Sequence, residues 1–333
     1  MIANLCSEDL IFRLHFIKFT LTITSSTSRI LLDFKQPLPA DVLLIRSEPI
    51  SFSEATLQQL RQHWQDQLLK KQSALFSSGV YAEIMPYAAA GNDIPDALFV
   101  DKKPVMWPGN AITLRDVRLK DGHVLITASE ISYPFIGALR DAAFRSNLDA
   151  TGLVNIRPPL AICTFAITTD HLLILTVRGI TTNVYPGRLY GQGGNPATLP
   201  FTIIAHQLDE LKDELLINRE EVDETSFRFY GLIEDLEQFP GKPDLIGTVR
   251  LKLSSSEVQQ RFDTRSFSSR PPDAEEISMI PFDKKTMQHY LSKATKASDY
   301  CPPAFGGLVL LMQHEFGVYE ICVSTYADVN ETH

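Results

Sequence analysis

Between residues 162 and 217 the alternation of apolar and polar positions changes its period. Ile162-Cys-Thr-Phe-Ala-Ile-Thr-Thr169 and Leu172-Leu-Ile-Leu-Thr-Val-Arg178 are short runs rich in β-branched and aromatic residues. They predict two strands, with Asp170-His171 turning the chain into a hairpin. Tyr185 to Pro196 is dense in glycine and proline and predicts a loop throughout. Ile204, Leu208, Leu211 and Leu215 then recur at spacings of four, three and four, the apolar stripe of a helix. Asn218 is its predicted stop, since asparagine tolerates the left-handed conformation that ends helices. Phe227 to Ile233 and Asp244 to Leu253 predict further strands, joined by the turn-prone Phe239-Pro-Gly-Lys-Pro243.

The chain before Asp149 carries elements of its own. Phe12 to Thr24, Arg29 to Phe34 and Val42 to Arg46 have strand character. Leu57, Leu60, Trp64 and Leu68 make a helical stripe. Thr113 to Leu119 and His123 to Ser129 flank Lys120-Asp-Gly122, a hairpin turn. Ser254 to Glu276, polar and charged with Arg270-Pro-Pro272, reads as a mobile surface excursion. Strands and helices in this order predict an α+β fold. The expected organisation is an N-terminal α+β extension over 1–150 packed on a core domain over 151–315, with a C-terminal tail over 316–333.

Candidate chemistry concentrates on the predicted helix. Glu210, Asp213 and Glu214 stand at i, i+3 and i+4, off the apolar stripe. On a helix that spacing brings three carboxylates to one face, close enough to share a divalent cation. Gly193-Gly194 upstream allows a tight backbone turn beside that face. A glycine loop followed by an acidic helix suits Mg²⁺, with Mn²⁺ as a substitute, presented to a pyrophosphate. The same acids also describe a solvated face on an ordinary amphipathic helix.

Hairpin, glycine loop, acidic helix and two further strands resemble the Nudix hydrolase superfamily. Its signature is G-x5-E-x7-R-E-U-x-E-E-x-G-U, with U aliphatic. Gly194 matches the leading glycine, and Glu210, Leu211, Glu214 and Ile217 match the second half, with Asp213 a conservative change. Asp209 stands where arginine belongs and Leu216 where glycine belongs. Pro200 and Phe201 fill the region of the upstream glutamate, and the spacing from Gly194 is one residue long. The subfamily typified by the animal UDP-glucose diphosphatase also has a degenerate box. It is similar in three more segments: Leu57 to Leu75 with Trp64, Ser132-Tyr-Pro-Phe-Ile-Gly137, and Cys301-Pro-Pro-Ala-Phe-Gly-Gly307. The resemblance spans residues 40 to 315.

It implies a mixed β-sheet between helices and Mg²⁺-dependent hydrolysis of a nucleoside diphosphate derivative, a UDP-sugar foremost. It further implies Glu210 as base or ligand, Glu214 as a catalytic ligand and Asp213 as a ligand. Gly193, Gly194, Arg178, Tyr133 and Asp244 become the substrate-binding candidates. A protein that kept the fold for nucleotide binding, or as a scaffold, fits the same departures from the signature.

Composition narrows the alternatives. A net charge of −9 argues against a broad phosphate-tracking surface for nucleic acid. Cys6, Cys163, Cys301 and Cys322 are scattered and read as reduced thiols of a cytoplasmic protein. No apolar run reaches membrane-spanning length, and Met1 to Asp9 lacks the basic start of a secretory leader. The histidines do not pair at ligand spacing, though His206 lies one turn from Glu210. Neither a G-x-S-x-G elbow nor a dinucleotide-binding βαβ unit is present.

Overall fold

The β-branched runs of residues 161–178 become two antiparallel strands, β6 (Ala161–Ile167) and β7 (Leu172–Arg178). In the computed structural model the described residues are 17–18, 27–50, 55, 58, 110–120, 123–132, 158–179, 185–237, 241–264, 274–292 and 299–318. Before the hairpin come β1 (Ile17–Lys18), β2 (Ser28–Pro39), β3 (Leu43–Ser47), β4 (Asn110–Lys120) and β5 (His123–Ser132). After it come β8 (Leu189–Tyr190), β9 (Gln192–Gly194), α1 (Ile203–Leu215), β10 (Val222–Asp235) and β11 (Lys242–Leu251). The last elements are α2 (Ser255–Thr264), β12 (Ala274–Pro281), α3 (Lys284–Ser292) and α4 (Pro302–Phe316).

Nine strands form one mixed sheet in the order β1-β2-β10-β11-β6-β7-β12, with β8 on β7 and β9 on β6. β11 and β6 run parallel, while the other pairings are antiparallel. A second sheet holds β3-β5-β4. Because side chains alternate along each strand, the main sheet is buried on both faces. Ile162, Ala166, Leu245 and Val249 meet Leu208, Leu211 and Leu215 of α1 and Val258 and Phe262 of α2. Leu43, Leu114, Val124 and Ile126 of the small sheet join that cluster. On the opposite face Cys163, Phe165, Ile233 and Ile246 lie under Leu308, Leu311 and Met312 of α4. The architecture is α+β, as the order of elements predicts, with a mixed sheet between helices.

Two expectations about local structure change. The glycine-rich segment after Tyr185 is not loop throughout. β6 and β7 pair only at Ile167 and Leu173, then diverge. Into the gap go β9, pairing Gly193 with Cys163 and Gly194 with Ile162, and β8, pairing Tyr190 with Thr176. Gly193 permits this approach: at φ 144° a Cβ there would lie 1.9 Å from the Ile162 carbonyl oxygen. The buried Gln192 amide ties both sides of the gap, accepting from Ala166 N at 2.9 Å and donating to Ile174 O at 3.2 Å.

The polar stretch after Ser254 is also ordered where it is described. Ser254 N donates to Glu257 Oε2 at 2.7 Å, and Glu257 N donates back to Ser254 Oγ at 3.4 Å. This capping box starts α2, which buries Val258 and Phe262. The expected helix over 57–75 except for residue 58, the strand over 12–24 except for β1, Arg270-Pro-Pro272 and the segment 133–137 with Tyr133 lie outside the described residues.

Candidate functional site

Helix α1 begins where Thr202, in extended conformation, accepts a hydrogen bond from Ala205 N at 3.2 Å. It ends at Leu216, which is left-handed at φ 55° and ψ 33°. Asn218 is therefore not the stop. It heads the short 3-10 turn at Arg219–Glu221, exchanging capping bonds with Glu221. Ile217 accounts for the earlier turn: it is fully buried, and its N–H returns to Leu211 O at 3.3 Å.

The buried face of α1 comprises Ile203, Gln207, Leu208, Leu211, Glu214 and Leu215. Glu214 is thus not off the buried face, because β9 in front of it consists of backbone at Gly193 and Gly194. Its Oε1 lies 3.5 Å from the Gly193 N–H that donates to it. Glu210, one turn earlier and part-exposed, rests on Gly194. A Cβ at Gly194 would come within 2.7 Å of Glu210 Oε1. Two of the three helix carboxylates therefore converge on the glycine pair. Asp213 is exposed, as is Asp209 in the arginine slot of the signature.

His206 completes this corner. Its Nε2 lies 3.4 Å from Gly194 O and 3.6 Å from Glu210 Oε1. The ring meets Phe201 edge-on, with centroids 6.2 Å apart. Burial pushes the imidazole below its ordinary range, against the raising pull of the Gly194 carbonyl and Asp209. The neutral ring makes a polar contact with Glu210, not an ion pair.

Arg178 and Asp244 gather elsewhere, around Tyr190 under α4. Asp244 is fully buried, accepting from Tyr190 OH at 2.6 Å and from Lys242 Nζ at 2.8 Å. The Arg178 guanidinium lies 5.5 Å from the Tyr190 ring centroid. Nearby, Tyr185 OH donates to both oxygens of buried Asp235, at 2.7 and 2.8 Å. Burial raises the Asp235 carboxyl despite those bonds. Arg188 forks onto Glu237 at 2.7 and 2.9 Å and stacks on Tyr185. Sequence reasoning missed these tyrosine–carboxylate pairs. The legible signal was Lys242-Pro-Asp244, which puts two opposite charges on one strand face at i and i+2. Burial also raises the thiols of Cys163 and Cys301, the latter to about 12, so neither is poised for chemistry.

Among the described residues no three His, Cys, Asp or Glu side chains converge to hold a metal ion. Glu210 and Glu214 offer a two-carboxylate seat against the backbone of Gly193 and Gly194. That fits Mg²⁺, which is ordinarily bound through one or two carboxylates with water and phosphate oxygens completing its shell.

No protein-family profile matches the sequence, and no curated protein matches it. Some solved structures overlap it in part. A protein of Deinococcus radiodurans has 12% identity and a TM-score of 0.29, over 45% of this chain and 80% of its own. A bifunctional NMN adenylyltransferase/ADP-ribose pyrophosphatase from Francisella tularensis has 10% identity and a TM-score of 0.34, over 54% of this chain. The same enzyme complexed with AMP and a manganese ion gives a TM-score of 0.33, also at 10% identity and over 54% of this chain. The chain spans 52% and 49% of the enzyme's length in those two structures. No helix among the described residues is long and apolar enough to cross a membrane.

Proposed function

We propose that the chain hydrolyses the diphosphate of a nucleotide derivative, with UDP-glucose the favoured substrate and UMP and glucose 1-phosphate the products. One observation carries this reading: Glu210 and Glu214, from one helix face, are seated on the backbone of Gly193 and Gly194. The preference for a UDP-sugar rests on the sequence resemblance.

In this mechanism Glu210 and Glu214 hold Mg²⁺, which when bound neutralises phosphate charge and lowers the pKa of water. Glu214, buried and oriented by the Gly193 N–H, is the fixed partner. Glu210 is the more open and accepts the proton of the attacking water. The water oxygen bonds to one phosphorus as the bridging P–O bond breaks, and the bridging oxygen leaves with the departing phosphate. Gly194 carries no side chain, so the Glu210 carboxylate lies directly against the strand backbone. The proposed hydrolase unit, 151–315, shares its sheet with β2 from the preceding segment.

A second reading, a nucleotide-binding protein without turnover, is favoured by exposed Asp213 and by Asp209 in the arginine slot. The deciding experiment incubates the protein with UDP-glucose, ADP-ribose and GDP-sugars, with and without Mg²⁺, alongside Glu210→Gln. Hydrolysis predicts glucose 1-phosphate from wild type and a loss of about two to four orders of magnitude in the variant. Stabilisation by the nucleotide without product supports the second reading. Neither turnover nor stabilisation refutes both.

A further inference from the structure

The arginine of the Nudix-like signature is replaced by Asp209, whose side chain points into solvent. Something else must hold Glu210 against Gly194 if the proposed site is to work. His206 is one turn earlier on the same side of α1, with its Nε2 close to two oxygens of different elements. One is the Gly194 carbonyl of β9, and the other is Glu210 Oε1 of α1. Gly194 also lies directly against the Glu210 carboxylate, with no side chain between them. Strand carbonyl, ring and carboxylate thus enclose one corner, and the edge of Phe201 limits movement of the ring.

We propose that His206 is the positioning residue of this site, orienting Glu210 toward the cation and fixing the glycine strand beside it. This role rests on the hydrolase reading given above. The ring acts through its Nε2–H, which donates to Gly194 O and leaves Glu210 Oε1 at the edge of the same donor. Groups that orient a metal ligand commonly change metal affinity or activity about 10- to 100-fold when removed. A side chain that merely fastened helix to strand would act on stability, without a selective effect on the cation.

The test compares wild type, His206→Ala and His206→Gln in Mn²⁺ titrations followed by electron paramagnetic resonance, with thermal melts of the same preparations. The glutamine amide restores an N–H donor near the position of Nε2. His206→Ala is expected to bind Mn²⁺ about 10- to 100-fold more weakly, while its melting temperature falls no further than that of His206→Gln. His206→Gln should bind close to wild type, and kcat for UDP-glucose hydrolysis should follow the same order. Wild-type Mn²⁺ affinity in His206→Ala would overturn the assignment. So would a loss shared by both variants and matched by their melting temperatures, since that describes a fastener. Absence of Mn²⁺ binding by wild type overturns the hydrolase reading itself, and the positioning role with it.

Discussion

Gly194→Ala separates the two uses of glycine in β9. At Gly194 an added methyl would sit 2.7 Å from Glu210 Oε1, 3.2 Å from Cδ and 3.3 Å from Oε2. All three atoms belong to the end of a flexible side chain, and the backbone there needs no left-handed conformation. Opening 2.7 Å to an ordinary 3.4 Å contact moves the carboxylate by about 0.7 Å. The side chain absorbs that by leaving its rotamer well, at about 0.5–1.5 kcal/mol. For a sheet of this size that is a melting shift of roughly 2–4 °C per kcal/mol. Catalysis is far less tolerant, because a displacement of about 1 Å can cost 10²-fold in rate. Gly194→Ala should therefore fold, melt within a few degrees of wild type and lose tens-fold in kcat and in Mn²⁺ affinity. Gly193→Ala is the contrast. Its methyl would lie 1.9 Å from the Ile162 carbonyl oxygen at a φ of 144°. The β6–β9 pairing must open, so a loss of at least about 2–4 kcal/mol is expected. Calorimetric melts and a glucose 1-phosphate release assay on both variants check the contrast. Full turnover by Gly194→Ala, or equal destabilisation of the pair, would refute the reasoning.

Three further outcomes follow from groups away from the glycine strand. Lys242→Met removes the cation paired with buried Asp244 beside Tyr190, and should cost about 3–5 kcal/mol in denaturant titrations, with Asp244→Asn in the same chain recovering part of it. Asp235 has a folded-state pKa raised by burial, so its contribution is complete below its unfolded value and is lost as pH rises through the folded one. Asp235→Asn should thus gain stability relative to wild type as pH rises above about 4, and a difference independent of pH would count against it. Asp170 has the opposite sign: bonds from Ser255 and Thr168 lower its pKa to about 2. Its contribution is present above the unfolded value and lost as pH falls through about 2, so Asp170→Asn should flatten the acid limb of the stability curve.

The elements most legible in the sequence were those whose pattern is local. The hairpin over 161–178 and the helix over 203–215 follow from side-chain period alone. Strands β8 and β9 were not legible, because glycine marks both a loop and a strand pressed against another backbone. Only the divergence of β6 from β7 decides between them. Burial of Glu214 was hidden for the same reason: the depth of its seat belongs to Gly193 and Gly194, on another element. Helix α2 buries only Val258 and Phe262, too few for a visible stripe, and the start signal in the spacing of Ser254 and Glu257 went unread. The gathering of Arg178, Tyr190, Lys242 and Asp244 depends on the parallel pairing of β6 with β11, a contact between distant segments.

The partner of β10 on its outer side is β2, and the Arg29–Glu234 ion pair across that seam joins residues 205 apart in the chain. During synthesis at about 5–20 residues per second, β2 waits roughly 10–40 s before β10 exists to receive it. Over that interval Ile30, Leu32 and Phe34, all buried in the finished sheet, have only the two-residue β1 beside them, and the edge meant for β10 stays an adhesive strand in the crowded surroundings of the ribosome. A fragment beginning near residue 151 inverts the hazard. It makes β10 but leaves its outer edge open to any passing strand, so recombinant production of the segment 151–315 alone favours self-association.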